Sequence, residues 1–276
     1  MSDWFARLQN VLPQHGLSRA MGALAASETA WVKNTFIDVF SRAYGISLDE
    51  AVERDPHAYT SFNDFFTRAL VDDARPIASG EDTVVCPADG AVSQVGHIHA
   101  GQLLQAKGHD YPLSSLAGQL AQGFEGGNFI TIYLAPSDYH RVHLPFGGEL
   151  THTLAVPGEL FSVNDSTERA IPGLFARNER LVCRFETDFG PMLVVLVGAM
   201  IVASIETDWV GPLSRYREEE LSEHGLMYQR GDEIGRFLLG STVICCFPDD
   251  AVDINDAMTP GTKVRMGQAM GKRDDD

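Results

Sequence analysis

Apolar residues change their spacing along this chain near residue 70, from a helical period to short runs of strand length. From Val32 onward Phe36, Val39, Phe40 and Ala43 recur at helical spacing, with Lys33, Asp38 and Arg42 off that stripe. Ser47 followed by Glu50 reads as a capping box opening a short helix, and Ser61 followed by Asp64 repeats it before Phe65 and Phe66. A looser apolar segment precedes these, with Trp4, Phe5, Leu8, Val11, Leu12, Leu17, Met21 and Leu24 among sparse charges. Beyond Arg75-Pro76, residues 83–86, 91–95, 129–134, 150–156, 181–185 and 191–205 are apolar or alternating, with Gly and Pro between them. This order predicts an α+β fold. N-terminal helices over 1–70, a membrane-associating region, precede a β-rich body of mostly antiparallel strands over 71–276.

The longest nearly uncharged apolar run, 192–205, is interrupted by Gly198 and falls short of the ~20 residues of a membrane span. It reads as one or two buried strands, and no secretory signal pattern opens the chain. The expectation is therefore a protein that does not cross the bilayer. The N-terminal segment can pack on the protein's own core or lie in a bilayer interface. Five or six apolar side chains inserted there, at about 1.5–3 kcal/mol each, would outweigh modest charge repulsion.

The formal charge of −17 excludes a general nucleic-acid binder, which would show a basic face. It also opposes long-range attraction to an anionic membrane, although screening beyond about 10 Å leaves local sites possible. Cys86, Cys183, Cys245 and Cys246 have no metal-ligand spacing, and the adjacent pair faces apart in a strand. Reduced, buried thiols of a cytosolic protein are the expectation.

Candidate chemistry concentrates at Gly240-Ser241, set between the apolar runs 237–239 and 243–247. One reading is a turn or bulge. Another uses the serine hydroxyl as a nucleophile on the Gly240 carbonyl, which no Cβ shields. The amide becomes an ester, elimination releases the upstream chain, and hydrolysis of the resulting dehydroalanine leaves a pyruvoyl group and ammonia. That course needs a base and a group to orient it. His140 and His143, with Asp138 and Arg141 between two prolines, supply the base. Two histidines lack the three or four ligands of a zinc site, so no metal is expected. Asp89, before Gly90, and Asp138 remain alternative orienters.

Several separated stretches resemble the bacterial phosphatidylserine decarboxylase proenzyme family. They are Ser61-Phe62-Asn63-Asp64-Phe65-Phe66-Thr67-Arg68, Arg75-Pro76-Ile77, Pro87-Ala88-Asp89-Gly90, the histidine segment 138–145, Phe161-Ser162-Val163-Asn164, 174–180, 198–206 and 233–242. The resemblance implies that Asp89, His143 and Ser241 form a self-cleavage relay acting between Gly240 and Ser241. It implies a large subunit 1–240, a small subunit 241–276 and a pyruvoyl group derived from Ser241, with no metal. The substrate amine would form a Schiff base there, lose CO₂, and regain a proton from His140, whose near-neutral pKa suits that task. Phosphatidylserine would thus become phosphatidylethanolamine. Arg141, Arg177 and Arg180 are candidates for the headgroup anions, or else ordinary surface charges. The implied setting is the cytoplasmic face of the inner membrane, as a peripheral protein, with the two subunits as partners and a homodimer of such pairs. Two other readings stay open: a serine hydrolase using the same three residues, which the missing Gly-x-Ser-x-Gly elbow disfavours, and a non-enzymatic β domain binding a lipid or partner.

Overall fold

The computed structural model describes residues 14–105, 109–163, 165–199, 205–213, 216–238 and 241–274. Helices α1 (Gln14–Ala25) and α2 (Ala30–Tyr44) come first. Gly45 closes α2 at φ 65, the left-handed cap that glycine tolerates best. Helix α3 (Phe62–Phe66) begins as the Ser61 signal predicts: the Ser61 hydroxyl accepts from Asp64 N–H at 3.2 Å, and the Asp64 carboxylate accepts from Thr60 N–H at 2.9 Å.

Two expectations for this region need correction. Ser47 opens no helix; its hydroxyl accepts from Asp49 N–H at 3.1 Å and donates to the Asp49 carboxylate at 2.8 Å, a local turn leading to the isolated bridge Ala51↔Leu70. The buried side of α2 is also rotated from the predicted stripe. Lys33 and Ile37 are its buried residues, whereas Val39 is 59% and Trp31 75% exposed. Lys33 turns inward because its ammonium donates to the His57 carbonyl at 2.6 Å while its stem covers apolar surface. Phe36 stacks on Phe62 at 4.0 Å between ring centroids, which ties α2 to α3.

The strands are β1 (Thr83–Val85), β2 (Gly90–His97), β3 (Gln102–Gln105), β4 (His109–Pro112), β5 (Asn128–Leu134) and β6 (Arg141–His143). After them come β7 (Gly148–Val156), β8 (Arg180–Thr187), β9 (Gly190–Val197), β10 (Ile205–Thr207), β11 (Gly211–Pro212) and β12 (Glu220–Tyr228). The last are β13 (Glu233–Phe237), β14 (Ser241–Cys246), β15 (Val252–Ile254), β16 (Lys263–Val264) and β17 (Ala269–Arg273). An eight-stranded sheet runs β12-β7-β8-β9-β14-β5-β2-β16, and a four-stranded sheet runs β11-β10-β13-β6. Strands β1-β17-β15 and β3-β4 make smaller sheets. Every strand pairing among the described residues is antiparallel. Helices followed by antiparallel sheets is the α+β arrangement the periodicity predicts.

The large sheet is apolar on both faces. Ile244 and Cys246 of β14 join Ile37, Phe62, Phe65 and Phe66 in one cluster, while Val243, Cys245 and Phe247 join Val142, Leu144 and Phe237 in the other. Period-2 alternation thus splits the adjacent cysteines between two cores, and burial pushes both thiols up. The N-terminal helices and the sheet share the first cluster.

Candidate active site

Two chain segments pass side by side between the large sheet and the four-stranded sheet. β5 ends at Leu134, a turn follows, and β6 continues in the four-stranded sheet. β13 runs back the other way, and β14 re-enters the large sheet. Phe237 N–H donates to the His140 carbonyl at 3.0 Å on one side of this return, and Ser241 pairs with Leu134 on the other. Phe237 and the backbone of Ser241 are therefore tied to the two ends of the segment 134–140. Gly240 lies outside the described residues, and Ser241 is described through its backbone.

Asp138 builds the turn. Its N–H donates to the Ala135 carbonyl at 2.9 Å and its carboxylate accepts from Ala135 N–H at 2.7 Å, so the carboxylate is committed locally and orients neither histidine. Burial raises its pKa.

His140 is completely buried against Phe66, with ring centroids 4.0 Å apart. Its Nδ1 lies 2.8 Å from the Asp138 carbonyl. A carbonyl only accepts, so Nδ1 carries the hydrogen and Nε2 is the bare nitrogen. Nε2 has no partner among the described residues. Burial pushes the His140 pKa down to about 3, against the Asp138 carbonyl and with some help from Arg68. The near-neutral value expected from sequence is thus corrected: at pH 7 this ring is an uncharged acceptor.

His143 is held differently. Its Nδ1 lies 2.8 Å from the Gly231 carbonyl, and its Nε2 lies 3.2 Å from the Tyr139 hydroxyl. The same logic makes Nδ1 the protonated nitrogen and Nε2 the acceptor. Burial lowers its pKa, while the Gly231 carbonyl, Glu233 and Asp89 pull it back. Asp89, 7% exposed, faces the Arg75 guanidinium at 2.6, 2.8 and 3.0 Å and accepts from Met266 N–H at 2.9 Å. Arg75 also donates to Glu50 at 2.8 Å. Among the described residues no hydrogen bond joins Asp89 to His143. Asp89 acts on that ring through charge, and a backbone carbonyl fixes the tautomer.

The three arginines singled out for the headgroup are engaged within the protein. Arg141 donates to the Thr67 carbonyl and Glu233, both at 2.9 Å. Arg177 pairs with Glu159 at 2.8 Å and lies over the Phe161 ring. Arg180 is buried on the carbonyls of Ser115, Leu116, Ala176 and Asn178 at 2.6–2.9 Å, and burial lowers its pKa to about 10. Residue-level reasoning missed Arg75, Tyr139 and Arg68. Tyr139 sits inside the histidine segment itself, but the partners of both arginines come from distant parts of the chain.

Comparison with known proteins gives a consistent picture. The family described as "Phosphatidylserine decarboxylase" matches residues 62–272, and one described as "PSD" matches residues 4–45. A "Phosphatidylserine decarboxylase proenzyme" of Psychrobacter cryohalolentis is 52% identical over 270 residues, covering 97% of this chain and 98% of the relative. Proteins of the same name from Alcanivorax borkumensis and Acinetobacter baumannii (strain AYE) are each 51% identical. The first covers 97% of this chain and 95% of the relative, the second 98% and 96%.

Proposed function

The chain belongs to the phosphatidylserine decarboxylase family, and from that membership we propose that it is cut between Gly240 and Ser241 and works through a pyruvoyl group derived from Ser241. It is a carboxy-lyase made as a proenzyme, converting phosphatidylserine to phosphatidylethanolamine and CO₂. A pyruvoyl group supplies an electron sink for the pair left behind when CO₂ departs. The residues about position 241 fit such a group: His140 Nε2 and Thr242 Oγ1 are both buried and both without a partner among the described residues. A carbonyl-bearing ligand and a polar substrate are what such orphaned atoms await.

For self-cleavage, His143 Nε2 takes the Ser241 hydroxyl proton, since Nδ1 is committed to Gly231. Tyr139 holds that nitrogen beforehand. Asp89, fixed by Arg75 and Met266 N–H, stabilises the imidazolium through its charge. For decarboxylation, His140 acts first as a base. Its bare Nε2 takes a proton from the incoming serine ammonium, which must be neutral to react, and later returns one to Cα. An anionic headgroup beside the ring raises its pKa toward the working range.

The observation that carries this reading is the double crossing, with Phe237 bonded to His140 and Ser241 paired with Leu134. Large (1–240) and small (241–276) subunits would stay together because β14 lies between β9 and β5. No helix among the described residues is long and apolar enough to cross a membrane. We place the enzyme peripherally on the cytoplasmic face of the inner membrane, as a homodimer of subunit pairs. Exposed Leu24, Trp31, Val39 and Tyr44 on α1 and α2 support the contact.

Intact mass spectrometry tests the cut. Active material should contain two fragments with a blocked small chain, and Ser241→Ala should remain at 30.2 kDa. Normal processing of that variant removes Ser241 as the nucleophile. Liposome flotation tests the surface: Trp31→Glu with Val39→Glu should release the protein, and unchanged binding discards these helices as the anchor.

A further inference from the structure

In a protein of formal charge −17, one cavity of about 740 Å³ gathers cations. It is lined by Arg68, Arg75, Lys263 and Arg265 beside the 137–139 turn. Four carboxylates line it too, and each is already engaged. Asp49 accepts from Ser47, Glu50 pairs with Arg75 and Arg265, Asp89 pairs with Arg75, and Asp138 caps its own turn.

Arg68 and Lys263 make no ion pair among the described residues, although both lie close enough to Asp138 to pull its pKa down against burial. Arg68 is 6% exposed; its Nη2 donates to the Ser137 carbonyl at 3.1 Å, and its Nη1 has no partner among the described residues. An unsatisfied buried guanidinium nitrogen is costly, and planar donors of this kind match phosphate oxygens. Lys263 stands exposed on β16 with no hydrogen-bond or ion-pair partner among the described residues. Arg68 lies near enough to His140 to help depress its pKa, so the cavity adjoins the proposed reaction centre.

We infer that this cavity binds the phosphodiester of the lipid headgroup, with Arg68 as the buried anchor and Lys263 as the outer contact. The assignment rests on the decarboxylase reading above and replaces Arg141, Arg177 and Arg180 as the headgroup residues. Only a few covalent bonds separate the headgroup phosphorus from the amine-bearing carbon. A phosphate held at Arg68 therefore leaves the amine and carboxylate within the neighbourhood of His140.

The test measures CO₂ release from short-chain phosphatidylserine in detergent micelles by fully processed enzyme. Lys263→Met, which breaks no hydrogen bond or ion pair among the described residues, and Arg68→Lys, which keeps the buried charge, should each raise KM about tenfold and change kcat less, the loss expected for one charge-assisted hydrogen bond. Both should complete self-cleavage, and Arg177→Gln should keep the wild-type KM. Glycerophosphoserine should compete with substrate in the wild type and weaken as a competitor in both variants. Wild-type KM in both variants overturns the inference while leaving the decarboxylase standing. Competition by inorganic phosphate without competition by glycerophosphoserine makes the cavity a free-anion site and also overturns it. A wild type that releases no CO₂ overturns the underlying reading instead.

Discussion

Acid should destabilise this protein through the buried ring of His140. An unfolded chain protonates this imidazole below its ordinary pKa of 6.5, whereas the folded protein holds it neutral down to about 3. Between those values the unfolded state binds the extra proton. The stability is therefore fully present above pH 6.5 and is lost as the pH falls through that window. Each pH unit inside it costs about 1.4 kcal/mol. Moving from pH 7 to pH 5 removes about 2 kcal/mol, a substantial part of the ~5–15 kcal/mol typical of folded domains. His143, lowered in the same direction, adds to the effect. The assay is urea unfolding of the uncleavable Ser241→Ala protein at pH 7, 6 and 5, with and without His140→Asn. Asparagine keeps a donor for the Asp138 carbonyl and does not titrate. Only the pH dependence is compared, so a general loss of stability in the variant does not matter. The parent should lose about 2 kcal/mol more than the variant over this range. Equal pH dependence in the two proteins would falsify the claim that this ring is buried uncharged.

Two further outcomes follow from the ion pairs and carbonyl contacts. Arg180→Met strips the donors from four inward-facing carbonyls and should cost at least about 3 kcal/mol. That corresponds to a fall in Tm of roughly 6–12 °C by calorimetry, and a change of a degree or two would show that water replaces the guanidinium. Arg75→Gln leaves Asp89 with Met266 N–H as its remaining described partner. Self-cleavage followed on denaturing gels should slow by about tenfold or more, and a wild-type time course would detach Arg75 from processing.

How much of this was readable from sequence depended on the range of the interaction. The strands at 129–134 and 191–197 were legible because both faces are buried, which leaves an uninterrupted apolar run. Strand β12 was not: its residues Glu220, Glu223 and Met227 are exposed, and it is held at a sheet edge by backbone pairing to β7. The face of α2 was misjudged because the inward turn of Lys33 depends on a carbonyl 24 residues away. At the site, the histidine segment and Gly240-Ser241 stood out by local composition. The placement of the Ser241 backbone beside Leu134 came from strand pairing, and the tautomer of His143 from Gly231, 88 residues distant. No spacing rule reports such partners. The same limit hid Arg68, whose Nη2 bonds the Ser137 carbonyl 69 residues away and whose Nη1 has no partner among the described residues.

The position of β14 bears on the order of events in the life of the molecule. With neighbours hydrogen-bonded along both of its edges, this strand would be an aggregation-prone ribbon if released alone. The proposed cut before Ser241 would therefore fall best after assembly, and it would convert one foldable polypeptide into a pair of chains that has no unimolecular route home. Once processed and denatured, such a pair would regain its architecture only by a concentration-dependent encounter. Its endurance is then a matter of how slowly it opens and no longer of an equilibrium.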